Sequence, residues 1–230
     1  MVLDLAAGTG EPGLSIAARV NNGKVIITDI AEDMLAIANE NAKKKGISNV
    51  EFNTCDICEL PYADNTFDAV SCRLGFMFVP DMLKAAKEIA RVLKPGGKVS
   101  TSVWTVPERN FWISAMMGTI NKNMQLPAPP AGSPGVFRCG ADGFIAALFK
   151  QAGLKNMEQV EVIGKIKCGT TDVYWDMMTE LAAPVVAALS SADEAMTKKI
   201  KKEVFELVAQ NFPDGNVVID SSAYVVCGTK

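Results

Sequence analysis

The sequence predicts an α/β fold, a mostly parallel sheet with helices on both faces. Three observations carry that expectation. Strand and helix signals alternate through the first half of the chain, the order that winds a parallel sheet. A glycine-rich turn, Gly8-Thr9-Gly10-Glu11-Pro12-Gly13, directly follows the first apolar strand. An alternating run at residues 222–227 precedes Gly228 and reads as a closing strand. At 230 residues, with 49% hydrophobic and 21% charged side chains, the chain has enough apolar material for the core of one generous domain.

The elements follow in order. Residues 2–5 read as strand, 11–20 as helix with Leu14, Ala17 and Ala18 on one face, and 24–29 as a second apolar strand. Residues 31–45 read as helix from the spacing of Met34, Ile37 and Ala38 and from late lysines, which suit a helix C-terminus before Gly46. Strands are expected at 50–54, 67–72 and 97–104. Between the last two lies a helix at 81–93 with Leu83, Ala86, Ile89, Ala90 and Leu93 inward. The stretch from Leu126 to Gly135 holds Pro127, Pro129, Pro130 and Pro134, too stiff and donor-poor for helix or central strand, and reads as a loop able to border a pocket. Residues 141–152 read as helix ended by Gly153, 156–163 as strand, and 191–211 as a long helix opened by a capping box, Ser191-x-x-Glu194. Its Met196, Ile200, Val204, Leu207 and Val208 form an apolar stripe that suits core.

Composition excludes several functions. A net charge of −3 gives no electrostatic footprint for a phosphate backbone, so nucleic acid is not an expected partner. No apolar run reaches the roughly 18 to 20 residues a membrane span needs, and the first residues carry no basic leader; the expectation is a cytoplasmic protein. Six cysteines are scattered through a chain large enough to fold without staples, so reduced thiols are expected. Cys55-x-x-Cys58 has no second pair and no histidine to complete four ligands, and no metal is expected. The absence of histidine removes the commonest general base.

The glycine turn alone is shared by nicotinamide, flavin and other cofactor folds. Its surroundings narrow the choice. Asp4 lies inside the first strand, where a dinucleotide fingerprint has an apolar residue; a carboxylate there suits a ligand with a cationic amino group, or a loop needing an acceptor. Asp29 ends the second strand about 20 residues past the first glycine, the position from which an acid accepts from ribose hydroxyls. A helix N-terminal acid is the other reading of Asp29. Asp56, just after the third strand, can accept from an exocyclic amine or form a turn.

The ordered set Leu3-Asp4-Leu5-Ala6-Ala7-Gly8-Thr9-Gly10, Asp29 with Met34-Leu35 behind it, Cys55-Asp56, Thr66-Phe67-Asp68-Ala69-Val70 and Arg91-Val92-Leu93-Lys94-Pro95-Gly96-Gly97 resembles the class I S-adenosylmethionine-dependent methyltransferases, in the broad branch with the ubiquinone/menaquinone C-methyltransferases. The resemblance covers nearly all of residues 2–105. It implies a Rossmann-like seven-stranded sheet of order 3-2-1-4-5-7-6 with the last strand antiparallel. It also implies one methyltransferase domain over 1–230: a cofactor core at 1–105, substrate and lid insertions with strand six at 106–215, and the last strand at 216–230. S-adenosylmethionine is the implied cofactor. Asp4, Ala6, Gly8 and Gly10 would face its methionine part, Asp29 and Ile30 its ribose, and Asp56 and Ile57 its adenine, with Met34 a further cofactor-binding position. Arg73 would sit near the carboxypropyl tail and the substrate opening. The Leu93 to Gly97 stretch is the family's helix-to-strand turn.

Phe76, Phe78, Trp104, Phe111, Trp112 and Phe137, with Arg138, are expected around the C-terminal edge of the sheet, where open α/β folds bind ligands, some lining an acceptor pocket and some in the core. Methyl transfer needs alignment and exclusion of water rather than a nucleophilic side chain, so none is assigned as catalytic. The expected reaction is methylation of a small, fairly apolar acceptor. Two alternatives stay open: a methyltransferase-like binding module with little activity alone, and a nicotinamide-dependent oxidoreductase. The acid in the first strand and the Leu-Lys-Pro-Gly-Gly turn speak against the second. Because the sequence opens on its own central strand, an open cofactor cleft is expected, partly covered by the prolines of 127–134 and by the mate in a homodimer.

Overall fold

A computed structural model describes the chain apart from Asn21, Ala128 and Ala131. The last two fall in the proline-rich stretch, so that part of the expected loop lies outside the described residues. Seven strands form one sheet in the order β3-β2-β1-β4-β5-β7-β6. They are β1 (Val2–Asp4), β2 (Val25–Asp29), β3 (Val50–Thr54), β4 (Phe67–Arg73), β5 (Leu93–Trp104), β6 (Lys155–Gly169) and β7 (Val217–Thr229). β1 pairs in parallel with β2 and with β4, placing Leu3 between Ile26 and Val70, whereas β7 runs antiparallel to β5 with Ser100 opposite Cys227. The order expected from the resemblance is the order observed.

The chain divides into two compact units, the first comprising residues 1–104, 132–161 and 223–230 and the second 105–131 and 162–222. The first unit holds the glycine turn and most of the sheet. Its main core joins Leu3, Val70, Val99 and Val226 from the strands, and Leu5 just past β1, to Ala86 and Ile89 of α3 (Met82–Val92) and to Ile145 and Phe149 of α5 (Phe144–Gln151). A smaller core sets α1 (Gly13–Ala17) and α2 (Glu32–Lys44) against β2 through Leu14, Ala17, Leu35 and Ile27. The second unit packs α4 (Phe111–Met124), α6 (Thr171–Leu181), α7 (Ala183–Leu189) and α8 (Glu194–Asn211) around Met116, Tyr174, Val185, Ile200 and Val204.

Several boundaries differ from expectation for local reasons. The first helix starts at Gly13 rather than residue 11, because Glu11 is drawn to Lys45 while Pro12 precedes the first helical residue. α2 buries Leu35, Ala38 and Ala42 and leaves Met34 and Ile37 nearly half exposed, so its inward face is turned by one residue. β5 begins at Leu93, which pairs with Phe67; the register then shifts so that Lys98 meets Ala69, with Gly96 at φ +77° in the turn between. α8 is capped by Asp193, whose Oδ1 accepts from the Met196 amide at 2.7 Å; Ser191 instead donates to the Ala188 carbonyl. A capping box at Ser191 is therefore not formed. Helices α4, α6 and α7 carry no stripe that the sequence reading isolated.

Candidate cofactor cleft

The turn after β1 is held from behind by one carboxylate. Asp4 is fully buried; its Oδ2 accepts from the Gly13 amide at 2.7 Å and its Oδ1 from the Ser71 hydroxyl at 2.6 Å. Burial pushes its pKa up to about 7, partly offset by those two hydrogen bonds. A side chain at position 13 would bring a Cβ within 2.8 Å of Asp4 Oδ2 and 2.7 Å of Ile27, so only glycine lets α1 approach the strands this closely. Gly10 adopts φ +109°, left-handed territory that other residues rarely enter. Asp4 thus fixes the turn, the loop-fixing one of its two sequence readings.

From the front the turn is tied to β2. Asp29 accepts from the Gly8 amide at 2.8 Å through Oδ2 and from the Ala31 amide at 3.0 Å through Oδ1. It lines a cleft together with Ala6, Ile30, Asp56 and Ile57. Ile30 is 73% exposed there, an apolar side chain left to solvent at the mouth of a cleft. Asp56 accepts from the Cys58 amide at 2.8 Å, an Asx turn that fixes its carboxylate at the rim. Five of the residues expected to contact cofactor therefore share one wall system. Gly8 and Gly10 lie in the turn beneath it, and Met34 sits in the first turn of α2 without lining the cleft.

The far wall is a segment of which the sequence reading singled out Phe76 and Phe78 alone. After β4 the chain makes a 3₁₀ turn at Phe76–Phe78, and Gly75, Phe78, Val79 and Pro80 face the cleft. Arg138 donates to the carbonyls of Val79 and Pro80, and the Gly135 amide donates to Met77. Expected in the acceptor pocket, Arg138 instead braces the cleft wall from outside. Phe76 is corrected more sharply: it is fully buried and meets Phe149 edge-on at 5.4 Å, in the core. Phe78 does line the cleft, nearly half exposed. Trp104 ends β5 packed on the main core, and Phe137 lies half-buried in the turn before Arg138. Trp112 belongs to the second unit, where its indole donates to Asn110 Oδ1 at 3.0 Å.

Thr28 and Cys55 also line the cleft, and neither was singled out for it; both follow from strand-end position alone. Burial raises the Cys55 thiol above its ordinary pKa, which keeps it protonated. Arg73 ends β4, within electrostatic reach of Asp4. It lines a separate cleft with Ser100 and Ser102 and takes no part in the wall formed by Asp29 and Asp56.

A mostly apolar cleft with two carboxylates at the C-terminal ends of parallel strands is the arrangement the glycine turn anticipated. Residues 2–97 match a family model described as a methyltransferase domain. The similarity to a methyltransferase domain thus spans less than half of the chain and takes in the glycine turn and the cleft. The chain is 44% identical, over 98 residues, to the ubiquinone/menaquinone biosynthesis C-methyltransferase of Bdellovibrio bacteriovorus, an alignment covering 43% of this chain and 41% of that one. Over 93% of the chain it is 27% identical to an uncharacterized protein of Mycobacterium tuberculosis, covering 76% of it. The likeness in fold extends further than the sequence match: the crystal structure of the YcgJ protein from Bacillus subtilis superposes with a TM-score of 0.65 at 21% identity, covering all of this chain and 91% of that one. The chain spans about two fifths of the length of the quinone-methyltransferase relatives it matches.

Among the described residues no group of histidine, cysteine and acid side chains is placed to hold a metal ion, and no helix is long and apolar enough to cross a membrane.

Proposed function

We propose that the chain transfers a methyl group from S-adenosylmethionine to a small, fairly apolar acceptor. One observation carries the reading: Ala6, Asp29, Ile30, Asp56 and Ile57, from the ends of three adjacent strands, rim a single cleft. Its chemistry fits a nucleoside. Two carboxylates can accept from ribose hydroxyls and an exocyclic amine, while Ile30, Ile57 and Phe78 offer flat apolar contact to a purine. The cofactor supplies a sulfonium-activated methyl, so transfer breaks a carbon–sulfur bond and makes a bond to the acceptor. The chain contributes binding, alignment and exclusion of water, for which a turn fixed at Gly8 and Gly13 is suited. With no histidine, any proton released by the acceptor goes to a carboxylate, tyrosine, lysine or water. The six thiols, all unpaired, support a cytoplasmic setting.

Calorimetric titration with S-adenosylmethionine, S-adenosylhomocysteine and NAD tests this. The adenosyl ligands are expected to bind and NAD is not. Asp29→Ala removes the acceptor for Gly8 and Ala31 as well as the ribose contact, so a loss of at least about 30-fold in affinity is expected. Binding of NAD, or adenosyl binding indifferent to Asp29, overturns the proposal.

A further inference from the structure

The far wall of the cleft, residues 75–80, is neither strand nor α-helix, so no sheet ladder fixes its distance from Asp29 and Asp56. At its start, close packing does so: a Cβ on Gly75 would lie 2.5 Å from the Ala6 Cβ, which presses the wall against the cleft floor beside the glycine turn. Its end has few bonds of its own. The Phe78 and Val79 amides are used within the 3₁₀ turn, on the Gly75 and Phe76 carbonyls, and Pro80 has no amide hydrogen to give.

That end is tied from two sides. The segment after the proline-rich stretch runs beside the wall in the same order. The Gly135 amide donates to the Met77 carbonyl, Arg138 donates through its two Nη atoms to the Val79 and Pro80 carbonyls, and Cys139 Sγ lies 3.6 Å from Met82 Sδ. Among the described residues these two bonds are all that engages the Arg138 guanidinium, whose Nε is buried without a partner. The other tie comes from the acid wall. Buried Cys58 donates its amide to Asp56 Oδ1 at 2.8 Å and its thiol to the Asp81 carbonyl at 3.5 Å, one residue past the far wall. Burial raises the pKa of this thiol, which keeps the donor hydrogen in place.

A purine is flat and gains most when apolar surface meets both of its faces. Widening such a gap by about 0.5 to 1 Å forfeits roughly a quarter to a half of the attraction of each contact. We propose that Arg138 and Cys58 are positioning residues for the cofactor, setting the spacing of the two walls and so how tightly the adenosine part is held. Neither lines the cleft; Arg138 acts through Val79 and Pro80, and Cys58 through Asp56 and Asp81. The assignment rests on the methyl-transfer reading and deepens it by naming what sets the width of its cofactor site.

The test measures the affinity of S-adenosylhomocysteine and of 5′-methylthioadenosine by calorimetry, well below each thermal midpoint. Wild type is compared with Arg138→Ala, Arg138→Lys, Cys58→Ala and Asn49→Ala. The last is a stability control, since Asn49 donates to the Ala17, Val20 and Gly23 carbonyls and does not line the cleft. Arg138→Ala is expected to weaken both ligands about tenfold and Cys58→Ala about three- to fivefold. Arg138→Lys, which can serve one carbonyl but not both, is expected to fall between alanine and wild type, and carries the comparison with Cys58→Ala if Arg138→Ala does not fold. Asn49→Ala is expected to lower the midpoint and leave both affinities unchanged. Wild-type affinities in the Arg138 and Cys58 variants overturn the proposal, and so does an Asn49→Ala loss as large as theirs, since affinity would then follow stability. An Arg138 effect on S-adenosylhomocysteine alone also overturns it, by assigning the guanidinium to the homocysteine part. Adenosyl binding indifferent to Arg138 and Cys58 defeats this inference alone; absent adenosyl binding on the wild type defeats the methyl-transfer reading and this inference with it.

Discussion

Asp4 is a carboxyl group with no water and two donors, and its energetics follow from that. Burial holds its pKa near 7 against an ordinary 3.8, so between those values the folded chain keeps a proton the unfolded chain has released. The stability this adds is full below the unfolded value and is lost as pH rises through 7, at most about 4 kcal/mol. Asp4→Asn preserves both contacts, since an amide oxygen can accept from Gly13 and its NH₂ can donate to Ser71. Its thermal midpoint is expected to vary less with pH than that of the wild type and to exceed it above about pH 8; parallel curves would refute this. Phe76 gives a second residue-scale prediction: Phe76→Ala is expected to cost about 3 to 5 kcal/mol in denaturant unfolding, the signature of core rather than pocket lining. Asp29 and Asp56 were legible in the sequence as acids at strand ends beside a glycine turn, and Ile30 and Ile57 through the family resemblance. The partner of Asp4 was not legible, because Ser71 reaches it across 67 residues of sequence and register alone brings them together. Nor could Phe76 and Phe78 be told apart, since one turn aims neighbouring rings in opposite directions.

At the scale of elements, the first four strands were read to within one residue at each end, with 50–54 matching β3 at both ends. Buried parallel strands are short apolar runs bounded by turns, and such runs leave few alternatives. Helix faces were harder. In α2 the motif residue Met34 drew the reading toward a face that is exposed, whereas small Ala38 and Ala42 supply the close contact with β2. α4 is apolar around most of its circumference, so no stripe marked it. The start of α8 is a test of detail. Asp193→Ala removes the side chain that caps Met196 and is expected to cost about 1 kcal/mol, while Ser191→Ala, outside the helix, is expected to cost less than half of that. Urea denaturation of the two variants distinguishes them, and equal losses would return the cap to Ser191.

Across the whole molecule, both compact units are assembled from stretches far apart in sequence. In the second, one buried side chain joins them: Asn110 Nδ2 donates to Thr105 Oγ1 and to the Val106 and Ser222 carbonyls, each at 3.1 Å, while its Oδ1 accepts from the Trp112 indole and the Ser222 amide. Asn110→Ala strands several buried polar groups and is expected to cost about 2 to 4 kcal/mol, read by chemical unfolding; a loss under about 1 kcal/mol would show the node to be dispensable. The first unit closes in a similar way, with Lys230 Nζ donating to the Leu93 carbonyl across 137 residues and its backbone bonding to Gly96 and Gly97. Closing a loop of that length has a cost that grows only logarithmically, about 0.6 kcal/mol for each doubling. Once β7 has docked beside β5, the excursion between them can lengthen or shorten by whole helices for little energy. The antiparallel closing strand therefore insulates the glycine turn from the insertions it spans: they can vary in length while the turn keeps its place.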